Sequence, residues 1–188
     1  MRARPFRLEV AESAIQDLRE RLARTRLPDE PPLEPWSTGT SLSYMRELIA
    51  YWKDGFDWRA QEARLNRFRQ YTVSLGGTEL HFIHERGRGA TRMPLLLCHG
   101  WPGSIVEFIE LLPLLTEHFT VVAPSLPGYT LSFTPGQPRF GVEEIAEIFA
   151  EPGTRTLTML RLELGSPHVA TLTAAETRTN GQPPPPIR

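Results

Sequence analysis

The sequence predicts an α/β protein with a helical N-terminal region, and three observations carry that prediction. Apolar residues recur at helical spacing up to about Arg67, the spacing turns to strand-like alternation after Phe68, and from residue 93 short apolar runs flank a helix-periodic stretch. With 40% hydrophobic, 23% charged and 9% aromatic residues, the 188-residue chain is expected to be soluble and globular, one domain or part of one.

A first helix is predicted after Ser13, with Gln16 as the partner of a capping box. Ile15, Leu18 and Leu22 share one stripe, Asp17 with Arg21 and Glu20 with Arg24 are i,i+4 pairs, and Pro28 stops the helix. A proline-rich crossing from Pro28 to Pro35 ends at Trp36. A second helix reads from about Ser41, with Leu42, Met45, Leu48, Ile49 and Trp52 as a broad aromatic stripe. Asp57 is the predicted N-cap of a third helix, Trp58 to about Arg67. Trp52, Phe56 and Trp58 are expected to clamp these helices together.

Tyr71, Val73 and Leu75 alternate, Gly76-Gly77 supplies a turn, and Leu80 to His84 returns as the second strand of a hairpin. His81 and His84 are an odd number of residues apart, so they face opposite sides and cannot share a metal. Pro94 to Cys98 reads as a strand buried on both faces, Ile105, Phe108, Ile109, Leu112 and Leu115 as a helix, and Phe119 to Ala123 as a second buried strand. Together they make a βαβ unit. A last helix starts near Val142, with Ile145, Ile148 and Phe149 on one side.

Several function classes are excluded at this level. A net charge of -1 leaves no nucleic-acid footprint, and one cysteine, Cys98, allows neither an internal disulfide nor a cysteine-built zinc site. The longest apolar run, Leu95 to Cys98, is far short of the roughly 20 residues a membrane span needs, and Met1 to Phe6 leads into no signal core. No metal, cofactor, nucleic-acid or membrane partner is expected, and the expected location is the cytoplasm.

The turn His99-Gly100-Trp101-Pro102-Gly103-Ser104 follows the first apolar strand. Glycines let the backbone approach a ligand, and Pro102 fixes the chain so that a neighbouring N–H can point outward. Carboxyl ends of parallel strands are where α/β sheets hold ligands. From the residues alone, this is either a ligand-binding turn or a tight loop whose glycines serve helix packing. A phosphate loop is excluded, because neither Gly-Lys-Ser/Thr nor GxGxxG occurs. Cys98 and His99 are adjacent, so on a strand they face opposite sides and form no nucleophile pair. Cys98 reads as a small core residue and His99 as a hydrogen-bonded structural one. No Gly-x-Ser-x-Gly is present, and Ser104, which begins a helix, is a weak candidate nucleophile.

The order and spelling of these segments resemble the α/β-hydrolase-fold epoxide hydrolases of the microsomal and juvenile-hormone type. The resemblance runs from about Pro5 to Ala150 and rests on Arg19 to Pro28, Tyr51-Trp52, Asp57 to Glu62, Leu65 to Phe68, His81-Phe-Ile-His84, His99 to Ser104 and Pro124 to Tyr129. The chain looks like the family's soluble bacterial branch. The resemblance implies that an aspartate opens a small-molecule epoxide to an alkyl-enzyme ester, cap tyrosines protonate the leaving oxygen, and a histidine-activated water releases a vicinal diol. It also implies two oxyanion donors, one of them the backbone N–H of Trp101 in the turn of His99, Gly100, Pro102 and Gly103.

The family's Gly-Gly-Asp-Trp-Gly nucleophile segment is not present. Glu151-Pro-Gly153 follows the last helix, and Glu163 stands at the aspartate's place only under a loose alignment. Cap, orienting acid and late histidine are missing too. Six of the 18 prolines fall in the last 38 residues, and 20 of the 21 basic residues are arginine, which points to GC-rich coding DNA. The tail is therefore either a natural shortening or the product of a frame change near codon 150, and the composition favours the frame change.

The expected organisation is an epoxide-hydrolase-type helical region over 1–70, the N-terminal part of an incomplete α/β-hydrolase core over 71–150, and an atypical, disordered or out-of-frame tail over 151–188. The expected function is that of an inactive N-terminal fragment of an epoxide hydrolase. The alternative is a non-catalytic binding module that self-associates through the open edge of its last parallel strand.

Overall fold

The computed structural model describes residues 3–88 and 93–150. Expectations about residues 151–188, Glu163 included, lie outside the described residues. The chain divides into two compact units, Leu8–Arg64 and the remainder.

In the first unit, helix α1 (Glu12–Ala23) starts two residues earlier than predicted, with Ala11 rather than Ser13 at the N-cap. No capping box forms. The preceding residue is tied from a distance: Val10 donates its N–H to Glu62 Oε1 (2.6 Å), and Arg59 Nη1 donates to the Val10 carbonyl (2.8 Å). Gln16 turns instead to Glu20 in its own helix. Helix α2 (Leu42–Ala50) follows Ser41, but its first N–H is taken by the Glu30 carboxylate, 12 residues upstream. Helix α3 (Trp58–Leu65) is capped as predicted, with Ala60 donating its N–H to Asp57 Oδ1 at 2.9 Å.

Between α2 and α3 the backbone widens into a π turn, Tyr51–Gly55. A turn closed from i to i+5 carries an extra residue, which rotates the residues after it off the α-helical stripe. The aromatic clamp is corrected accordingly. Phe56 and Trp58 do meet, with ring centroids 6.2 Å apart, but their other neighbour is Tyr51, 6.4 Å from Phe56, while Trp52 is exposed. Gly55 makes room for the Tyr51 ring, since a Cβ there would sit 2.9 Å from it.

The second unit is built on a five-stranded sheet of β1 (Arg4–Phe6), β2 (Gln70–Leu75), β3 (Thr78–Glu85), β4 (Met93–Leu96) and β5 (Phe119–Pro124), in the order β1-β2-β3-β5-β4. The hairpin forms as predicted, with Leu75 opposite Thr78 and positive φ at Gly76 and Gly77. Strand β1 is an addition to the predicted elements. It pairs antiparallel to β2, Pro5 opposite Tyr71. Strands β4 and β5 are parallel, Leu95 opposite Val121. The edges of the described sheet are therefore β1 and β4, and β5, the later of the two described parallel strands and the one expected to have an open edge, is paired on both sides, by β3 and β4.

The stretch predicted as one helix after the turn is two short pieces, a 3-10 turn Ile105–Phe108 and helix α4 (Leu112–Leu115). Pro113 explains the split, since it has no N–H to bond back and its ring clashes with the carbonyl four residues earlier. The apolar positions are still used: Phe108 and Leu112 join Ile83, Leu95, Leu97 and Val121 in one buried cluster. On the hairpin side, Ile145, Ile148 and Phe149 of α5 (Val142–Ala150) are buried with Leu75 and Leu80, as the helical spacing predicts.

Candidate functional site

The turn from His99 to Ser104 leaves the carboxyl end of β4 beside the segment that leaves β5. Its far end is closed by a capping box: Ser104 donates its N–H to Glu107 Oε1 (2.9 Å), and Ser104 Oγ accepts from the Val106 N–H. That ties both the backbone and the side chain of Ser104 into the local cap. A Cβ at Gly103 would fall on the Glu107 carboxylate, so a side chain there would displace it from this cap.

At the near end, the Gly100 carbonyl accepts two hydrogen bonds, from the Gly103 N–H at 2.9 Å and from His99 Nδ1 at 3.0 Å. His99 Nε2 accepts the backbone N–H of Leu126 at 3.1 Å. An imidazole that accepts at Nε2 and faces a carbonyl with Nδ1 must be the neutral Nδ1–H tautomer. Burial pushes its pKa down, which agrees with the neutral form. His99 is thus the hydrogen-bonded structural residue the sequence indicates, with the Tyr129 ring 5.5 Å away.

The Gly100 carbonyl and the Trp101 N–H belong to one trans peptide plane and point in opposite directions. Two bonds to the carbonyl therefore fix where the Trp101 N–H points. That N–H makes no hydrogen bond among the described residues, and the Trp101 side chain is 72% exposed. The Trp101–Pro102 peptide is cis. Cys98 is partly buried against the α5 cluster.

Sequence reasoning undervalued the polar centre beneath this turn. His81, fully buried, places Nδ1 3.0 Å from Ser125 Oγ and Nε2 3.0 Å from Gln70 Oε1, so both ring nitrogens are engaged. Burial pushes its pKa down to about 4. His84 is only half-buried, its ring near Tyr71. The signal for this centre was a serine directly after the buried strand β5.

The described geometry agrees with what comparison with known proteins finds. The family described as epoxide hydrolase N terminus matches residues 3–108, more than half of the chain. This chain belongs to the epoxide hydrolase family. A second match, to the alpha/beta hydrolase fold, covers residues 93–169. A protein of Stigmatella aurantiaca is 42% identical over 157 residues, covering 78% of this chain and 36% of its own length. Epoxide hydrolase 1 of Sus scrofa is 38% identical over 162 residues, covering 78% of this chain and 35% of its own length. Among solved structures, juvenile hormone epoxide hydrolase from the silkworm Bombyx mori aligns with a TM-score of 0.69 at 31% identity, over 79% of this chain and 42% of that one. The described sheet and helices of this epoxide hydrolase family member are part of an α/β-hydrolase fold, and the chain spans about a third of the length of the curated relatives it matches.

Proposed function

We propose that this chain carries part of the apparatus that hydrolyses a small-molecule epoxide to a vicinal diol through an alkyl-enzyme ester. In that reaction the Trp101 N–H is one of two donors to the oxyanion formed as water cleaves the ester. His99, Gly100, Pro102 and Gly103 shape the turn that presents it. The single observation that carries this reading is the Trp101 N–H, without an acceptor among the described residues, in a peptide plane held through its carbonyl by His99 and Gly103. A donor held in place before the charge develops needs no reorganisation when it does.

The proposed organisation is a helical region over 1–70, the start of the hydrolase core over 71–150 and an atypical tail over 151–188. By itself the chain turns over no epoxide, because one oxyanion donor replaces neither nucleophile nor base. Glu163, the carboxylate nearest the aspartate's place in sequence, has no glycine pair before it. No helix among the described residues is long and apolar enough to cross a membrane. The proposed location is the cytoplasm, and the net charge of -1 supports the absence of a nucleic-acid partner. The outer edge of β4 supports a second reading, a non-catalytic module that self-associates by strand pairing.

The test mixes the purified chain with a styrene-oxide-type epoxide. The expected outcome is no diol above the uncatalysed rate and no trapped ester. Turnover abolished by Glu163→Gln would overturn the assignment of the tail. A saturable, concentration-dependent complex blocked by Leu96→Pro, which adds a second proline to the outer edge of β4 beside Pro94, would favour the self-associating module.

A further inference from the structure

The Trp101 N–H is the outer end of a series of hydrogen bonds that begins inside the sheet. Gln70 donates Nε2 to the Leu65 carbonyl (3.0 Å) and to Asn66 Oδ1 (3.3 Å), which leaves its Oε1 to accept from His81 Nε2. His81 Nδ1 is then a bare lone pair, and the Ser125 hydroxyl 3.0 Å away donates to it. The backbone is tied as tightly. Ser125 donates its N–H to the His81 carbonyl (3.0 Å), His81 donates its N–H to Ser132 Oγ (2.9 Å), and Ser132 Oγ donates to the Ser125 carbonyl (2.7 Å).

Two peptide planes transmit this arrangement. The Ser125 carbonyl, held by Ser132, shares a plane with the Leu126 N–H, which is thereby aimed at His99 Nε2 (3.1 Å). His99 Nδ1 in turn holds the Gly100 carbonyl, whose plane carries the Trp101 N–H. We propose that His81 is a positioning residue for the Trp101 donor, acting through Ser125, the Ser125–Leu126 peptide and His99. This rests on the reading of Trp101 as an oxyanion donor. His81, Ser125 and Ser132 are all fully or almost fully buried, and a wholly satisfied polar network in such a place fixes one arrangement where an apolar core would allow several.

Imidazole 15N spectroscopy of the full chain at neutral pH tests the series directly. In the unsubstituted protein His81 is expected to read as Nε2–H with a bare Nδ1, and His99 as the opposite, Nδ1–H with a bare, accepting Nε2. Either ring in the other tautomer would overturn the proposal with no variant needed. Ser125→Ala is expected to average the two His99 15N signals and to speed Leu126 amide exchange at least about tenfold relative to the sheet. Ser125→Thr, which keeps the hydroxyl, should restore both. Val121→Ala, an equally buried change on β5, lowers stability without touching the series and should leave the His99 signals alone. Unchanged His99 signals in Ser125→Ala, or the same averaging in Val121→Ala, would reduce His81 to a structural role. None of these readouts depends on turnover, so the epoxide assay fails or succeeds separately.

Discussion

Leu126 donates its backbone N–H to His99 Nε2 at 3.1 Å, joining the segments that leave two adjacent parallel strands. The bond determines the His99 tautomer, and with it the orientation of the Gly100–Trp101 peptide. His99→Ala strands the Leu126 N–H and withdraws one of two donors from the Gly100 carbonyl. Leaving a buried donor unpaired costs about 1–3 kcal/mol. A loss of about 2 kcal/mol is expected in urea unfolding, with Leu126 amide exchange accelerated. A variant as stable as the parent would show that the His99 bonds contribute nothing to holding the turn.

Acid sensitivity follows from His81. Burial holds its pKa at about 4, against an ordinary value of 6.5. Between those values the unfolded chain binds the proton and the folded chain does not, so stability falls as pH drops from about 6.5 towards 4. At 1.36 kcal/mol per pH unit the whole effect is about 3 kcal/mol. His84 and His99 are also lowered by burial and add to it with the same sign. Urea midpoints across that pH range should show the slope, and His81→Phe should be less stable at neutral pH but flatter below it. An equally steep slope in the variant would place the titration elsewhere.

Gly76 meets α5 closely enough to make a sharp prediction. Its φ is +53°, and a Cβ there would run into Ile148 Cγ1. Gly76→Ala combines a left-handed backbone cost of about 1–2 kcal/mol with overpacking of about 1–3 kcal/mol. Gly77, at φ +75°, faces open space, so Gly77→Ala carries only the backbone cost. Thermal unfolding of the two variants should rank Gly76→Ala well below Gly77→Ala, and equal midpoints would contradict the α5 placement.

In the helical unit, Glu62 is the carboxylate to remove. The Val10 N–H, and after it Arg59, hold its carboxyl below the usual range. Glu62→Gln keeps an oxygen for Val10, whereas Glu62→Ala leaves that N–H without a partner and should cost about 1–2 kcal/mol more. Because the folded pKa is lowered, this contribution is present above the ordinary carboxylate range and is lost as pH falls through it. Equal stability of the two variants at neutral pH would show that the Val10 bond adds nothing.

Legibility in the sequence went with dependence on neighbours in the chain. Asp57 capped its helix, the Gly76-Gly77 turn fixed the hairpin, and the spacing of Ile145, Ile148 and Phe149 predicted the buried face of α5. The turn from His99 to Ser104 was visible as a turn for the same reason. Long-range partners were not legible. Ser13 has the look of a cap, but Glu62 and Arg59, about 50 residues away, fix the helix entry at Val10. Arg4–Phe6 is too short to show a period, and only β2 makes it a strand. His81 reads as an ordinary hairpin histidine because its partners, Gln70 and Ser125, stand 11 and 44 residues away.

The last prediction concerns the coding DNA. Glu151-Pro-Gly153 and Leu160 to Leu164 stand where the family's nucleophile strand and its Gly-Gly-Asp-Trp-Gly turn are expected. The match to the alpha/beta hydrolase fold nevertheless continues to residue 169, past Glu163, where Gly165-Ser166 and Val169-Ala170-Thr171 echo the stretch after that turn. A change of frame near codon 150, in DNA rich enough in G and C to give 20 arginines for one lysine, would put all of residues 151–188 out of frame, so on this explanation those echoes are coincidental, and on the alternative they belong to a natural shortening. The nucleotides from codon 151 onward, read in another frame, should then encode an apolar strand ending in Gly-Gly-Asp-Trp-Gly, followed by a cap region with tyrosines and a late histidine. Resequencing the locus and translating all three frames checks this. If no frame contains that segment, the frame change is wrong, and the chain has to be treated as a module in its own right, with the edge of β4 as the first place to look for a partner.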